Sequence, residues 1–266
     1  MVSAPAKHVV MFSGGVGSWA CARRVAERHG TGDLVLLFAD TSVEEPDLYR
    51  FRDEAAANVG GRLVVVVDGR TPFEVFHDRR FLGNARQANC SEELKIKPCR
   101  AWLDANCDPA LTTLYVGIDW SEQHRIPANR LGWRPYRIEF PMVDAPYVDK
   151  RGMLKLLDAE GITRPVAYAE GFPHNNCGAQ GCVRGGQAYW RLMLRARREA
   201  YLQSEVQEQD LREHLGADVA ILRDRTSGQV RPMTLREFRE RQEDAPGMFD
   251  GDEWGGCGCF TGGVAA

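Results

Sequence analysis

Apolar and polar residues fall in alternating blocks along the first half of the chain. The runs Lys7 to Phe12, Leu34 to Ala39, Leu63 to Val67 and Leu114 to Gly117 are too short for buried helices. They predict parallel strands covered on both faces. Between them, the helical spacing of Ser18 to His29, Pro46 to Val59 and Ile96 to Ala105 predicts crossover helices; the first stops at Gly30 and Pro46 opens the second, each residue where its backbone suits that end. The alternation predicts an α/β fold, a doubly wound parallel sheet with helices on both faces. In such sheets ligands sit beyond the carboxyl ends of the strands. Ser13 to Ser18, Ala39-Asp40-Thr41, Asp68-Gly69-Arg70 and Gly117-Ile118-Asp119 all fall there.

From about Met142 the pattern changes. Gly152 to Gly161 predicts a short helix, Gly171 to Gly186 a loop rich in Gly, Cys and Asn, and Gln187 to Gln209 one long helix of mixed charge with a solvent-facing side. Asp218 to Leu222 predicts a strand, Leu235 to Asp244 a helix, and Ala245 to Ala266 is a glycine-rich tail. The expected division is a nucleotide-binding α/β domain over 1–145, and a helical C-terminal region over 146–266 whose cysteine-bearing loops fold back over the strand-end cleft.

Composition narrows the function classes. At 266 residues and 44% hydrophobic content the chain can bury a sizeable core, and a net charge of -3 argues against a surface wholly committed to nucleic acid. No run approaches the ~20 apolar residues of a membrane span, and Met1 to Lys7 lacks a signal-peptide core. The expectation is a cytoplasmic protein with no membrane partner. In that reducing compartment its eight cysteines suggest ligation or catalysis before disulfides.

The hexapeptide Ser13-Gly14-Gly15-Val16-Gly17-Ser18 joins the first strand to a helix. Glycines let the main chain approach an anion, successive N–H groups form a donor nest, and the helix dipole adds positive charge. The spacing is neither that of the dinucleotide fingerprint nor that of the Walker loop. It resembles the Ser-Gly-Gly-x-Asp-Ser pyrophosphate loop of the ATP pyrophosphatases, with Gly17 where that family usually has Asp.

Further pieces are similar to the phosphoadenosine phosphosulfate (PAPS) reductase-like branch of that superfamily, particularly its members from bacteriophages and actinobacteria. They are Asp40-Thr41 with Glu44-Glu45, Cys90-Ser91-Glu92-Glu93-Leu94-Lys95 with Pro98, and Gly117-Ile118 with Glu122 and Arg125. The resemblance covers most of residues 7 to 190. It implies an adenine nucleotide α-hydrolase-like (Rossmann-like) sheet and chemistry at an α-phosphate, or at sulfur attached to an adenylate. The ligand expected is ATP with Mg²⁺, or a sulfonucleotide. The acceptor is a nucleic acid or small metabolite, served by a sulfur donor or a thioredoxin-like reductant.

On this basis Ser13, Gly14, Gly15, Gly17, Ser18, Asp40, Thr41 and Gly117 are the nucleotide-binding candidates. Asp40 suits a ribose or adenine contact and equally a helix cap. Lys95 and Arg125 are the catalytic candidates that neutralise phosphate charge, with a solvated surface pair as the plain alternative. Asp119 and Glu122 suit Mg²⁺ ligation or an ordinary helix turn.

The cysteines divide. Cys21, Cys99 and Cys107 read as packing residues. Cys177 and Cys182 flank a Gly-rich loop, Cys257 and Cys259 lie in the tail, and Cys90 precedes Lys95. Cys90, Cys177, Cys182 and Cys257 are the candidate metal ligands, for a [4Fe-4S] cluster or Zn²⁺, with a metal-free dithiol as a third reading. His174 is a further ligand, a substrate contact or a turn residue. Cys259 is the candidate nucleophile of a sulfonucleotide reductase; the Glu-Cys-Gly-Leu/Ile-His tail expected of that activity is replaced here by Cys257-Gly258-Cys259-Phe260. Three functions follow: an adenylating enzyme coupled to sulfur transfer, a sulfonucleotide reductase, and a catalytically silent nucleotide- or metal-binding module.

Overall fold

A computed structural model describes residues 7–225, 228–244 and 254–255. The chain enters through β1 (His8–Met11), crosses by α1 (Val16–His29) to β2 (Leu34–Asp40), and by α2 (Pro46–Val59) to β3 (Arg62–Val67). It returns through α3 (Pro72–Arg79), α4 (Asn89–Ser91), a π turn at Glu92–Ile96 and α5 (Lys97–Asn106) to β4 (Thr113–Tyr115). From there α6 (Ile126–Gly132) leads to β5 (Arg137–Glu139). All four pairings are parallel, in the order β3-β2-β1-β4-β5. This is the expected α/β Rossmann-like sheet.

Alternate residues of each central strand serve opposite faces. Val10 and Phe12 pack with α1 and α2, whereas Val9 and Met11 pack with Cys99 and Leu103 of α5 and with Trp133. That two-sided burial explains why β1 and β2 read as unbroken apolar runs. β3 departs from the expectation. It is an edge strand, with Val65 and Val67 46% and 58% exposed, and among the described residues no strand pairs with its outer margin. The chain winds outward from β1 to β3 and then returns to β4 on the other flank of β1. The carboxyl ends of β1 and β4 therefore border the point where strand order reverses, the crevice in which such sheets bind ligands.

After a 3-10 turn at Pro141–Val143, α7 (Lys150–Ala159) lies against α1, with Met153 and Leu157 in the same core as Trp19 and Val25. The chain continues through α8 (Val166–Ala169), α9 (Gln187–Ala196), α10 (Arg198–Leu215), an antiparallel pair β6 (Leu222–Asp224) and β7 (Arg231–Met233), and α11 (Leu235–Asp244). Trp190, Tyr201, Leu211 and Phe238 build a separate core here, joined by Phe73 and Phe76 of α3.

Two sequence expectations are corrected in this region. The long helix is two helices, broken at Arg197 (φ -140°, ψ 57°). The Arg197 guanidinium pairs with Glu45 and Glu170 and lies 4.6 Å from the Phe172 ring. The solvent-facing side expected of that long helix lies on α10, where Leu202, Gln203, Val206 and Asp210 are exposed, while Glu205 of the same helix pairs with Arg236 and Arg239 of α11 and α9 buries most of its apolar residues. The strand expected at 218–222 begins only at Leu222, because the Ile221 N–H is taken by Glu208 Oε1 at 2.8 Å. Among the described residues, no helix is long and apolar enough to cross a membrane.

Candidate functional site

The glycine-rich turn is shaped by close approaches. Gly14 has φ +73°, and a Cβ there would stand 3.0 Å from Leu48 Cδ2, so only glycine makes the turn without strain. Gly15, in extended conformation, opens α1; Ser18 Oγ donates to the Gly15 carbonyl at 2.8 Å, and Ser13 Oγ to Ser18 Oγ at 3.3 Å. The turn after β4 presses against it. A Cβ on Gly117 would stand 2.6 Å from the Gly17 carbonyl oxygen. Between these turns and the 173–176 segment lies a cleft of about 570 Å³, large enough for a nucleotide.

The cleft holds both cations and donors. Arg125 lines it, with Nη1 2.5 Å from Glu122 Oε1, and Lys150 lines it while donating to the Pro173 carbonyl. The α1 N-terminus points its dipole here, favouring negative charge. The far wall is supplied by the C-terminal region. Asn175 Nδ2 donates to the Gly14 carbonyl at 2.9 Å, and Val16 N–H donates to Tyr168 Oη at 3.3 Å. The His174 ring is buried, and burial, with Lys150 and Lys95 nearby, pushes its pKa down to about 4. The ring is therefore neutral at pH 7. Gly255 also lines the cleft and bridges to Gly185.

A second, small cavity of about 30 Å³ lies beyond Thr41. Cys90, Cys177 and Cys182 all line it, together with Lys95. A hydrogen bond with Cys182, burial and the Glu44 carboxylate hold the Cys177 thiol well above the usual thiol range, so it is protonated at pH 7. Among the described residues, no group of three His, Cys, Asp or Glu side chains is placed to hold a metal ion. Glu44 organises this region from a buried position. Its Oε1 accepts from Lys95 Nζ at 3.1 Å and Thr41 Oγ1 at 3.0 Å, and its Oε2 accepts from the Cys177 N–H at 2.5 Å.

The structure thus gathers Ser13, Gly15, Gly17, Ser18, Gly117 and Arg125 on one cleft, with Asp119 and Glu122 beside them. Asp119 Oδ1 is engaged by Ser121 N and Oγ, at 2.8 and 2.6 Å. Gly14 shapes the turn from behind. Lys95 and Thr41 instead line the thiol cavity, and Asp40 Oδ1 accepts from Ser42 N and Tyr49 Oη, both at 2.8 Å. Cys21 and Cys99 are core residues. Cys257 and Cys259 lie outside the described residues. Lys150, Tyr168 and Asn175 went unnoticed in the sequence because only the fold brings them to the glycine turn. Glu44 carried a signal in its place after Asp40-Thr41, though not one of burial.

No protein-family model matches the chain, nor does any curated protein. Among solved structures it is similar to a phosphoadenylyl-sulfate (PAPS) reductase from Candida auris, determined as a phosphate complex. The identity is 13%, over 64% of this chain and 80% of that one, with a TM-score of 0.43.

Proposed function

We propose that the chain binds ATP in the cleft at Ser13 to Ser18 and adenylates an acceptor, with sulfur transfer as the following step. One observation carries this reading: the glycine turn, Gly117 and Arg125 converge where the order of the parallel sheet reverses. The triphosphate lies against the α1 N-terminus. An acceptor oxygen attacks the α-phosphorus, the bond from that phosphorus to the bridging α–β oxygen breaks, and pyrophosphate leaves. A sulfur nucleophile then displaces AMP. Arg125 and Lys150 stabilise the charge that develops on the phosphates. Asp119 and Glu122 are the carboxylates beside the cleft that would hold Mg²⁺, which would add to the neutralisation of phosphate charge.

Pyrophosphate release in the presence of ATP and candidate acceptors tests this. Sulfite release from a sulfonucleotide, without pyrophosphate from ATP, transfers the cleft to the reductase reading, in which a tail thiol such as Cys259 attacks sulfur. ATP-dependent thermal stabilisation without turnover supports the silent module, which Gly17 in place of the loop Asp favours. Among the described residues a Cβ at Gly17 would meet only the Gly117 carbonyl, at 3.4 Å, so Gly17→Asp is a feasible test of that point.

For the thiol cavity the proposed occupant is a metal centre that would have to draw Cys90, Cys177 and Cys182 together on binding, since among the described residues they do not already form a ligand group. The alternatives for that centre are a single Zn²⁺ and a [4Fe-4S] cluster. Iron, sulfide and zinc analysis of anaerobically purified protein decides between them. Metal retained after replacement of all three cysteines removes the site.

A further inference from the structure

A second hollow, of about 670 Å³, adjoins the nucleotide cleft. One wall is the 3-10 turn Trp120–Arg125, which contributes Trp120 and Gln123; the other runs from Tyr147 into α7 and contributes Lys155 and Leu156. Trp120 and Asp149 line both hollows, so the two are neighbours that share these side chains as a border. Trp120 is 46% exposed and Tyr147 66%, unusual for rings that gain so much from burial. Of the exposed cations of α7, Lys155 lines this hollow and Arg151, one helical turn before it, lies on the same helix face, whereas Lys150 lines the nucleotide cleft. The acid among them, Asp149, has Oδ1 2.7 Å from the Gly152 N–H as the α7 cap.

Rings for bases beside cations for phosphates are what single-stranded nucleic acid requires, because every base offers a face for stacking and each linkage carries a charge. The net charge of -3 is no obstacle, since the positive charge needed is local. We propose that this hollow takes an unpaired base of a nucleic-acid strand between Trp120 and Tyr147, with the strand backbone along Arg151 and Lys155. The strand then crosses Trp120 into the nucleotide cleft. Naming it as the acceptor rests on the adenylation reading; its binding does not.

The test is fluorescence anisotropy with labelled mixed-sequence single strands of about 15 nucleotides, one DNA and one RNA, several times the length one base pocket needs. At least one strand should bind, and more weakly as salt rises. Tyr147→Ala should weaken it about 5- to 150-fold, the range for losing one stacked base, and Lys155→Ala should flatten the salt dependence. Calorimetric ATP affinity should be unchanged in both variants, as neither residue lines the nucleotide cleft. The proposal is overturned if neither strand binds, if Tyr147→Ala binds like the parent, or if free nucleosides compete as well as the strand. Strand binding by a parent that does not bind ATP would remove the adenylation reading and leave this one standing.

Discussion

Asn175 donates from Nδ2 to the Gly14 carbonyl at 2.9 Å, tying the C-terminal region to the phosphate turn across 161 positions of sequence. The amide is buried, and Tyr168 Oη, 3.4 Å from its Oδ1, also receives the Val16 N–H. The turn is thus braced by residues more than 150 positions away in sequence. Asn175→Ala leaves a buried carbonyl without this donor, which costs about 1–3 kcal/mol. Urea unfolding should report that loss, and ATP titration should show weaker affinity. A variant equal to the parent in both measurements would mean that the brace does not order the turn.

Gly117 and Gly17 touch through backbone, and the two positions should respond differently to alanine. At Gly117 the added Cβ meets the Gly17 carbonyl oxygen at 2.6 Å and its carbon at 2.9 Å. Neither atom is at the end of a flexible side chain, so the turns must separate. At Gly17 the contact is an ordinary 3.4 Å, in the first turn of a helix, where alanine gains about 0.5–1 kcal/mol over glycine. Gly117→Ala should lower ATP affinity at least about tenfold, which corresponds to ~1.4 kcal/mol, and Gly17→Ala should hold or raise the melting temperature. Calorimetry and thermal unfolding check the pair, and equal ATP affinity in Gly117→Ala and the parent contradicts the contact's role.

What was legible in the sequence follows from where the information lay. β1 and β2 announced themselves through unbroken apolar runs, and the glycine turn through its position after one of them. β5 has only Arg137-Ile138-Glu139, too short for any periodicity, and its strand character comes from pairing with β4. The capping box of Thr71 and Glu74 that starts α3 was present in sequence but overlooked. Lys95 was expected near phosphate because it is a cation in a resembling segment. Its actual partner, Glu44, lies 51 positions away and became visible only once β2 and the π turn were adjacent.

Lys95 and Glu44 form a buried ion pair at 3.1 Å, with both side chains almost wholly removed from water. Such a pair need add little net stability, but removing one partner strands the other's charge. Lys95→Met should cost about 3–5 kcal/mol and loosen the Cys177 turn held by Glu44. Adding Glu44→Gln should recover part of the loss, since the stranded charge goes while a carbonyl acceptor remains. A double-mutant cycle by chemical unfolding measures the coupling; purely additive effects would contradict it.

Glu208 gives the fold a pH dependence of its own. The side chain is buried on α10, Oε1 accepts from Ile221 N at 2.8 Å, and Oε2 accepts from Leu235 N at 2.6 Å, joining the β6 approach to the start of α11. Burial pushes its pKa up to about 7, against the pull of those two donors, from an ordinary value of 4.5. Between those values the folded chain retains a proton that the unfolded chain has lost. Stability from this group is therefore greatest below pH 4.5, falls as pH rises, and levels off above about 7, a total of ~3 kcal/mol at 1.36 kcal/mol per pKa unit. His174, held neutral by burial, contributes the opposite slope below pH 6.5, so the informative quantity is the difference between the parent and Glu208→Gln. Urea unfolding from pH 5 to 8 should show the parent losing stability relative to the variant as pH rises; a difference constant across that range would place the Glu208 titration elsewhere.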